Sequence, residues 1–319
     1  MKRRDLLKSA PAALLAAGTG ALVPLRARAA EGGLQVLGAQ RFQVGEMLVT
    51  SILDGFLTLP PDVLQGTTPD EVATLLENAY QDPSQPRGSI NAFIIETGGE
   101  TWLVDSGAGG YFGPNAGHLP DILAALGIDP ASVRKLLLTH LHADHTGGAT
   151  VDASLATFPN AELVVTEADR AFWTSEEIQA QAHDMMKPNF DLSRATIAAY
   201  GDRVTVIEGE AEAAPGITAR PLPGHTPGHT GYHVESGGES LLIWADIVHV
   251  PAVQFARPEV TIPFDVDQQL AAATRADLMA SLADSGQRIA GMHLTFPGTG
   301  YVERAGEGYR FVPAPWEYL

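Results

Sequence analysis

An apolar run, VRKLLLTH (Val133–His140), feeds straight into HLHADHTGG (His140–Gly148), so a strand-like segment ends in three histidines and a carboxylate within six positions. The chain has only ten histidines in 319 residues. A core cannot hold such a cluster unpaired, because polar groups taken out of water need partners. The candidate partners are a metal ion or a hydrogen-bond network, with chance as the remaining alternative. Residues two apart on an extended segment share a side, so His140 and His142 can face one ion. Asp144 and His145 follow a turn and point elsewhere, which suits a second ion nearby. Gly147 and Gly148 let the chain leave a crowded site at low steric cost. The fold must therefore carry the C-terminal end of this strand to a place where other segments supply further ligands.

Such segments exist downstream. PLPGHTPGHT places His225 and His229 on a Gly/Pro loop, LLIWAD ends its apolar run on Asp246, and RIAGMH ends on His293. A single strand-end histidine is more often satisfied within a core or loop, and His293 alone would be read that way. Four strand ends that each finish in a metal-competent side chain are a different matter, and together they predict a metal centre. His229 is read as bracing the loop beside His225, while His118, His183 and His233 receive no role. With no cysteine in the chain, only His, Asp and Glu can be ligands. That donor set suits two divalent ions, zinc first, with Mn, Fe or Co as alternatives.

The surrounding pattern predicts an α/β (α+β) architecture, two packed sheets with helices outside. NAFIIET and TWLVDSG, joined through Gly98-Gly99, read as a hairpin. FQVGEMLVTSILDG reads as one strand-like run. Helices are expected at Asp121–Gly127, Glu167–Lys187 and Asp265–Gly286, each closed by Gly or followed by Pro. No linker or repeat divides residues 30–319, which are taken as one domain. Six of the 20 basic residues, including paired Arg3-Arg4, lie in the first 30 positions, followed by an Ala/Gly-rich apolar run and Ala27-Arg28-Ala29. Residues 1–29 therefore resemble a cleavable twin-arginine export signal, implying a periplasmic or secreted protein without a stable membrane anchor after cleavage. The net charge of −18 argues against a nucleic-acid partner.

HLHADH, PGHTPGH, WAD and GMH, in that order and with LVDSGAGG (Leu103–Gly110) before them, resemble the metallo-β-lactamase superfamily across the chain from about residue 30. The resemblance implies an αββα sandwich of two mixed β-sheets. It also implies that His140, His142 and His225 hold one ion, that Asp144, His145 and His293 hold the other, and that Asp246 bridges them. Asp105 would hydrogen-bond within the site without binding an ion. Two such ions lower the pKa of a shared water and supply hydroxide near neutral pH, with Asp144 orienting it. The glutathione thioesterases of the superfamily carry a helical domain after the last histidine, and with 26 residues after His293 that activity is expected less. SINAFIIETGGETWLVDSGAGGYFGPNAG, WADIVHVPAVQFARPEV and the C-terminal GMHLTFPGTGYVERAGEGYRFVP are similar to methyl parathion hydrolases and related lactonases and aryl-esterases. By that similarity Phe112, Trp173 and Phe190 are expected in the substrate pocket, with core anchoring as the alternative for the last two. His249 stands where acyl-homoserine lactonases place an assisting tyrosine, and it is expected to donate a proton near pH 7. A lactone or aryl-ester substrate is expected first, an organophosphate second, and a non-catalytic periplasmic metal-binding protein third. The lactonase relatives are often dimers, so a homodimer is also open.

Overall fold

Alternate side chains of the central strands go to opposite faces, and in this chain both faces are apolar. The computed structural model describes residues 36–60, 62–316 and 319, so the expected export segment 1–29 lies outside the described residues. The first sheet contains β1 (Ala39–Val44), β2 (Met47–Thr58), β3 (Arg87–Thr97), β4 (Glu100–Val104) and β5 (Val133–Leu137). A small hairpin, β6 (Thr150–Val151) with β7 (Leu155–Ala156), precedes β8 (Glu162–Thr166) and β9 (Val204–Ile207), which complete the order β1-β2-β3-β4-β5-β8-β9. The second sheet runs in chain order through β10 (Ala211–Ala214), β11 (Ile217–Pro221), β12 (Thr230–Ser236), β13 (Glu239–Ile243), β14 (Arg288–Ala290), β15 (Thr299–Ala305) and β16 (Gly308–Pro313). Both sheets are mixed: β4-β5-β8-β9 and β13-β14 pair parallel, and the remaining neighbours pair antiparallel.

Phe93, Ile95, Trp102, Val104, Leu137 and Val164 of the first sheet meet Tyr232, Val234, Leu241 and Ile243 of the second in one buried layer. Their neighbours in sequence, Ala92, Ile94, Leu103, Leu136, Leu163 and Val165, turn the other way. There they meet α2 (Leu119–Leu126), α4 (Glu167–Thr174) and α6 (Lys187–Tyr200), beside α3 (Ala143–Thr146) and α5 (Glu176–Gln181), while α1 (Pro69–Asn78) packs its Val72 and Leu76 against Val250, Val253 and Val260. On the far side Leu242 and Ile289 pack against Leu278, Met279 and Leu282 of α8 (Gln268–Ser285), which follows the one-turn α7 (Pro251–Gln254). The result is the expected αββα sandwich.

Three local readings change. FQVGEMLVTSILDG is two strands, because Gly45 takes φ +57° and turns β1 onto β2 at Val44↔Met47. The helix expected over Glu167–Lys187 is broken: Ser175 caps the amide of Ile178 and starts α5, and Pro188 sits in the first turn of α6, where it has no amide to satisfy. The helix expected from Asp265 starts later, capped by Asp267 through the Leu270 amide, which releases Asp265 for another task. The Gly98-Gly99 hairpin stands as expected, with both glycines at positive φ between paired Thr97 and Glu100.

Asp54 on β2 fixes the loop that follows Asp105. Its carboxylate accepts from the amides of Ala108, Gly117 and Leu119 at 2.9, 3.0 and 2.7 Å, and burial pushes its pKa up while these bonds pull it back. Gly107 (φ +69°) packs so closely here that a Cβ would come within 2.4 Å of the Asp54 Cγ. Asp54→Ala leaves three amides without their acceptor, and we expect it to lower stability by about 2–5 kcal/mol. Urea unfolding checks this; a midpoint within error of the parent chain would contradict the role of this clamp.

Candidate metal centre

The ends of β5, β11, β13 and β14 converge on one floor. His140 lies just beyond β5, and His142 is the residue that precedes α3, from which Asp144 and His145 project. His225 and His229 lie on the loop between β11 and β12, Asp246 follows β13, and His293 follows β14. Ala245 adopts φ +55° and Asp105 φ +58°, conformations that cost energy in residues other than glycine and that concentrate at functional sites. At Ala245 the turn lifts Asp246 off the line of its strand.

His140, His142 and His225 form one buried group, and Asp144, His145, Asp246 and His293 another, with the candidate ligand atoms of each within 4.8 Å of one another. His140 Nε2 and His225 Nε2 lie 3.1 and 2.9 Å from His142 Nδ1. Asp246 Oδ2 sits between the groups, 3.6 Å from His140 Nε2, 3.4 Å from His225 Nε2, 3.2 Å from His145 Nε2 and 2.9 Å from His293 Nε2. Asp144 Oδ2 faces His145 and His293 at 3.4 Å each.

The outer ring nitrogens determine where the protons sit. His293 Nδ1 donates to the Ser89 carbonyl at 2.6 Å and His145 Nδ1 to Asp105 at 2.7 Å. Thr139 donates its hydroxyl to Asp105 and therefore accepts from His140 Nδ1 at 3.0 Å, while His225 Nδ1 donates to Asp265 at 2.8 Å. In their neutral form these rings turn an Nε2 lone pair inward. Burial first, and neighbouring histidines next, hold His140 and His142 well below the usual imidazole pKa, so their lone pairs stay free.

These residues fit divalent ions. A proton on His142 Nδ1 could bond one neighbouring lone pair well, not two, whereas a cation satisfies all three rings. Among the described residues His145 Nε2 and Asp246 Oδ1 have no hydrogen-bond partner though buried, as expected of groups that face an ion. The donor set, five imidazoles and two carboxylates, is one that borderline divalent metals accept.

His229 and Asp105 do not join either group. His229 Nδ1 donates to the Leu222 carbonyl at 2.7 Å, and its Nε2 accepts from the Asp246 amide at 3.0 Å, so it holds the backbone of the shared carboxylate. Burial above all keeps this ring neutral by lowering its pKa to about 3. Asp105 accepts from the Thr139 amide and hydroxyl as well as from His145, locking β4 to the motif.

The floor opens into a cavity of about 610 Å³ walled by Phe56, Leu59, Phe112, Met185, Ile262 and Phe264. Phe112 is on that wall; Trp173 and Phe190 are not. Both are fully buried in the helical layer, Trp173 edge-on to His142 at 5.0 Å and Phe190 against Trp173 at 4.7 Å. α4 and α6 pack on the outer face of the first sheet, so their aromatic residues reach the back of a ligand and not the substrate space. His249 does reach the cavity, stacked on His293 with Nε2 3.4 Å from Asp246 Oδ2, and among the described residues neither of its ring nitrogens has a hydrogen-bond partner. Burial holds its pKa at about 4, so the proton transfer expected near pH 7 gives way to a neutral ring with one N–H to donate.

Two further residues escaped sequence reading. Asp169 on α4 accepts from the amides of Leu141 and Gly228 at 3.1 and 2.6 Å, tying the first histidine motif to the second; burial raises its pKa to about 6. Asp265 reaches His225 from 40 positions away. An acid at the start of an apparent helix gives no sign of such a partner.

A family model described as the metallo-beta-lactamase superfamily matches residues 86–283. The chain belongs to this superfamily. Among curated relatives, N-acyl homoserine lactonases of Bacillus sp and Bacillus cereus are 27% identical over 119 residues and 25% over 122, covering 37% and 38% of this chain. These matches span about two fifths of the relatives' own length, 40% and 41%. Among solved structures, the hydrolase AbOPH of the beta lactamase superfamily superposes with a TM-score of 0.83 at 34% identity, covering 89% of this chain and all of its own. The dizinc quorum-quenching lactonase AidC, solved with a product, gives 0.83 at 23% identity over 88% and 99% of the two chains, and so attests the fold.

Proposed function

We propose that this superfamily member is a metal-dependent hydrolase of lactones or aryl esters, with His140, His142 and His225 holding one ion, Asp144, His145 and His293 the other, and Asp246 both. The observation that carries this reading is Asp246 Oδ2, placed within 2.9–3.6 Å of ring nitrogens from both histidine groups. Two divalent ions, when bound, supply Lewis acidity and an activated water. Zinc suits the ligands, and the dizinc lactonase of the same fold supports it. Asp144 lines the cavity, and its carboxylate oxygen not engaged by an ion would orient the attacking water. His249, without a hydrogen-bond partner among the described residues, donates its N–H to the carbonyl oxygen of the substrate or to the departing alkoxide. The apolar walls accept an acyl chain or aryl group and exclude water.

A methyl phosphotriester with an aryl leaving group is the second reading, because Phe56, Phe112 and Phe264 would receive that group equally well. A metal-binding protein without turnover is the third. The test is a panel of γ- and δ-lactones, aryl acetates and a methyl phosphotriester, with metal content measured in parallel. Lactone or ester turnover should lead, and Asp246→Ala should lower kcat/KM by about 10³-fold or more, since ion-based stabilisation is worth several kcal/mol. A leading phosphotriester rate promotes the second reading, and two bound ions without turnover promote the third.

We further propose export by the twin-arginine route, supported by Arg3-Arg4 and Ala27-Arg28-Ala29. Among the described residues no helix is long and apolar enough to cross a membrane. N-terminal sequencing of protein from the periplasmic fraction tests the expected cleavage near Ala29.

A further inference from the structure

Beneath the cavity floor, a buried acid and a buried guanidinium join His225 to the cavity wall. Asp265 Oδ1 accepts from His225 Nδ1 at 2.8 Å, and Oδ2 accepts from the Ile262 amide at 3.1 Å. Arg275, fully buried on α8, lies 4.0 Å from Oδ2. It donates Nε to the Ile247 carbonyl at 2.5 Å and Nη1 to the carbonyls of Pro258 and Val260 at 2.7 and 2.8 Å. The amides of Val266 and Asp267 return to the carbonyls of His225 and Gly224 at 3.0 and 2.9 Å, closing the segment onto the ligand loop. Ile262 and Phe264 of that segment line the cavity.

Such an arrangement has a specific consequence. A neutral imidazole can carry its proton on either nitrogen, and only the Nδ1–H form of His225 turns a lone pair towards His140 and His142. Asp265 selects that form, because a carboxylate accepts and never donates. Arg275 compensates the buried carboxylate and at the same time pins the Pro258 and Val260 carbonyls just ahead of the wall segment. The same carboxylate thus holds a ligand with one oxygen and a wall of the substrate space with the other.

We propose that Asp265, backed by Arg275, is the positioning residue that fixes the tautomer and aim of His225 and couples that ligand to the Ile262–Phe264 wall. The proposal rests on the reading of His225 as an ion ligand, and the experiment separates the two.

The zinc-loaded chain is challenged with a chelator, and release of each ion is followed in the parent and in the Asp265→Ala, Asp265→Asn and His225→Ala variants. In parallel, imidazole ¹H–¹⁵N spectra of the same samples follow the His225 Nδ1–H, assigned by its absence in His225→Ala. Asp265→Ala should speed release of one ion by about 10- to 100-fold, leave the other unchanged, and expose the Nδ1–H to exchange with water. Asp265→Asn keeps one acceptor and should lose less; it also carries the test if the alanine variant does not fold. Wild-type release from both Asp265 variants, or a protected Nδ1–H that persists in them, overturns the proposal. Wild-type release from His225→Ala instead removes His225 from the ligands, and the spectra still decide whether Asp265 holds its ring.

Discussion

Stripping the ions from the folded chain is expected to lower its melting temperature by about 15 °C and to abolish hydrolysis, both restored by adding zinc. Seven buried side chains converge here, and the ring nitrogens of the first group approach to 2.9 and 3.1 Å. Without a cation these groups have to protonate, take in water or move apart, and each response loosens a strand end. An ion held at about 1,000 times its Kd stabilises the folded state by about 4 kcal/mol. Two such ions contribute about 8 kcal/mol, and a domain of this size shifts by about 2 °C per kcal/mol. Calorimetry of the metal-loaded protein, with and without chelator and with metal content measured, provides the check. A melting temperature that stays within about 3 °C while the ions leave would mean that the cluster is satisfied by the protein alone.

What the sequence made legible is the part of the site in which chemistry and secondary structure coincide. Buried strands end where their apolar runs end, so His140, Asp246 and His293 announce themselves as polar groups at the mouth of a core. The strand-like runs with helical patterns between them made the layered sandwich legible too. Contacts made across long separations were not legible. Asp54, Asp169 and Asp265 each accept from backbone or ring groups 28 to 65 positions away, and each sits in a stretch that reads as strand or helix boundary. Nor does periodicity tell which neighbour an amphipathic helix will face. α4 presents Trp173 to the back of His142, a surface created only once α3, α4 and α6 have packed together.

Trp173→Ala is expected to destabilise the fold by about 3–5 kcal/mol, whereas Phe112→Ala should change stability by no more than about 0.5 kcal/mol. Trp173 is fully buried, packing edge-on to Phe172 at 4.9 Å and against Phe190 at 4.7 Å, so truncation leaves a void that three packed helices cannot collapse. Phe112 is 41% exposed at the cavity mouth, on a loop held by Asp54 rather than by its own packing. Kinetics should divide the other way. Phe112→Ala removes apolar wall from the substrate space and should raise KM for an acyl or aryl substrate by about 10-fold, the equivalent of about 1.4 kcal/mol. Trp173→Ala should leave KM near the parent value and lower kcat, because the ring it supports is that of His142, proposed as an ion ligand, and it does not line the cavity. Thermal unfolding and steady-state kinetics on the two variants decide the matter. A raised KM with an unchanged melting temperature in Trp173→Ala would return that side chain to the pocket wall, and with it the reach of the cavity behind α4.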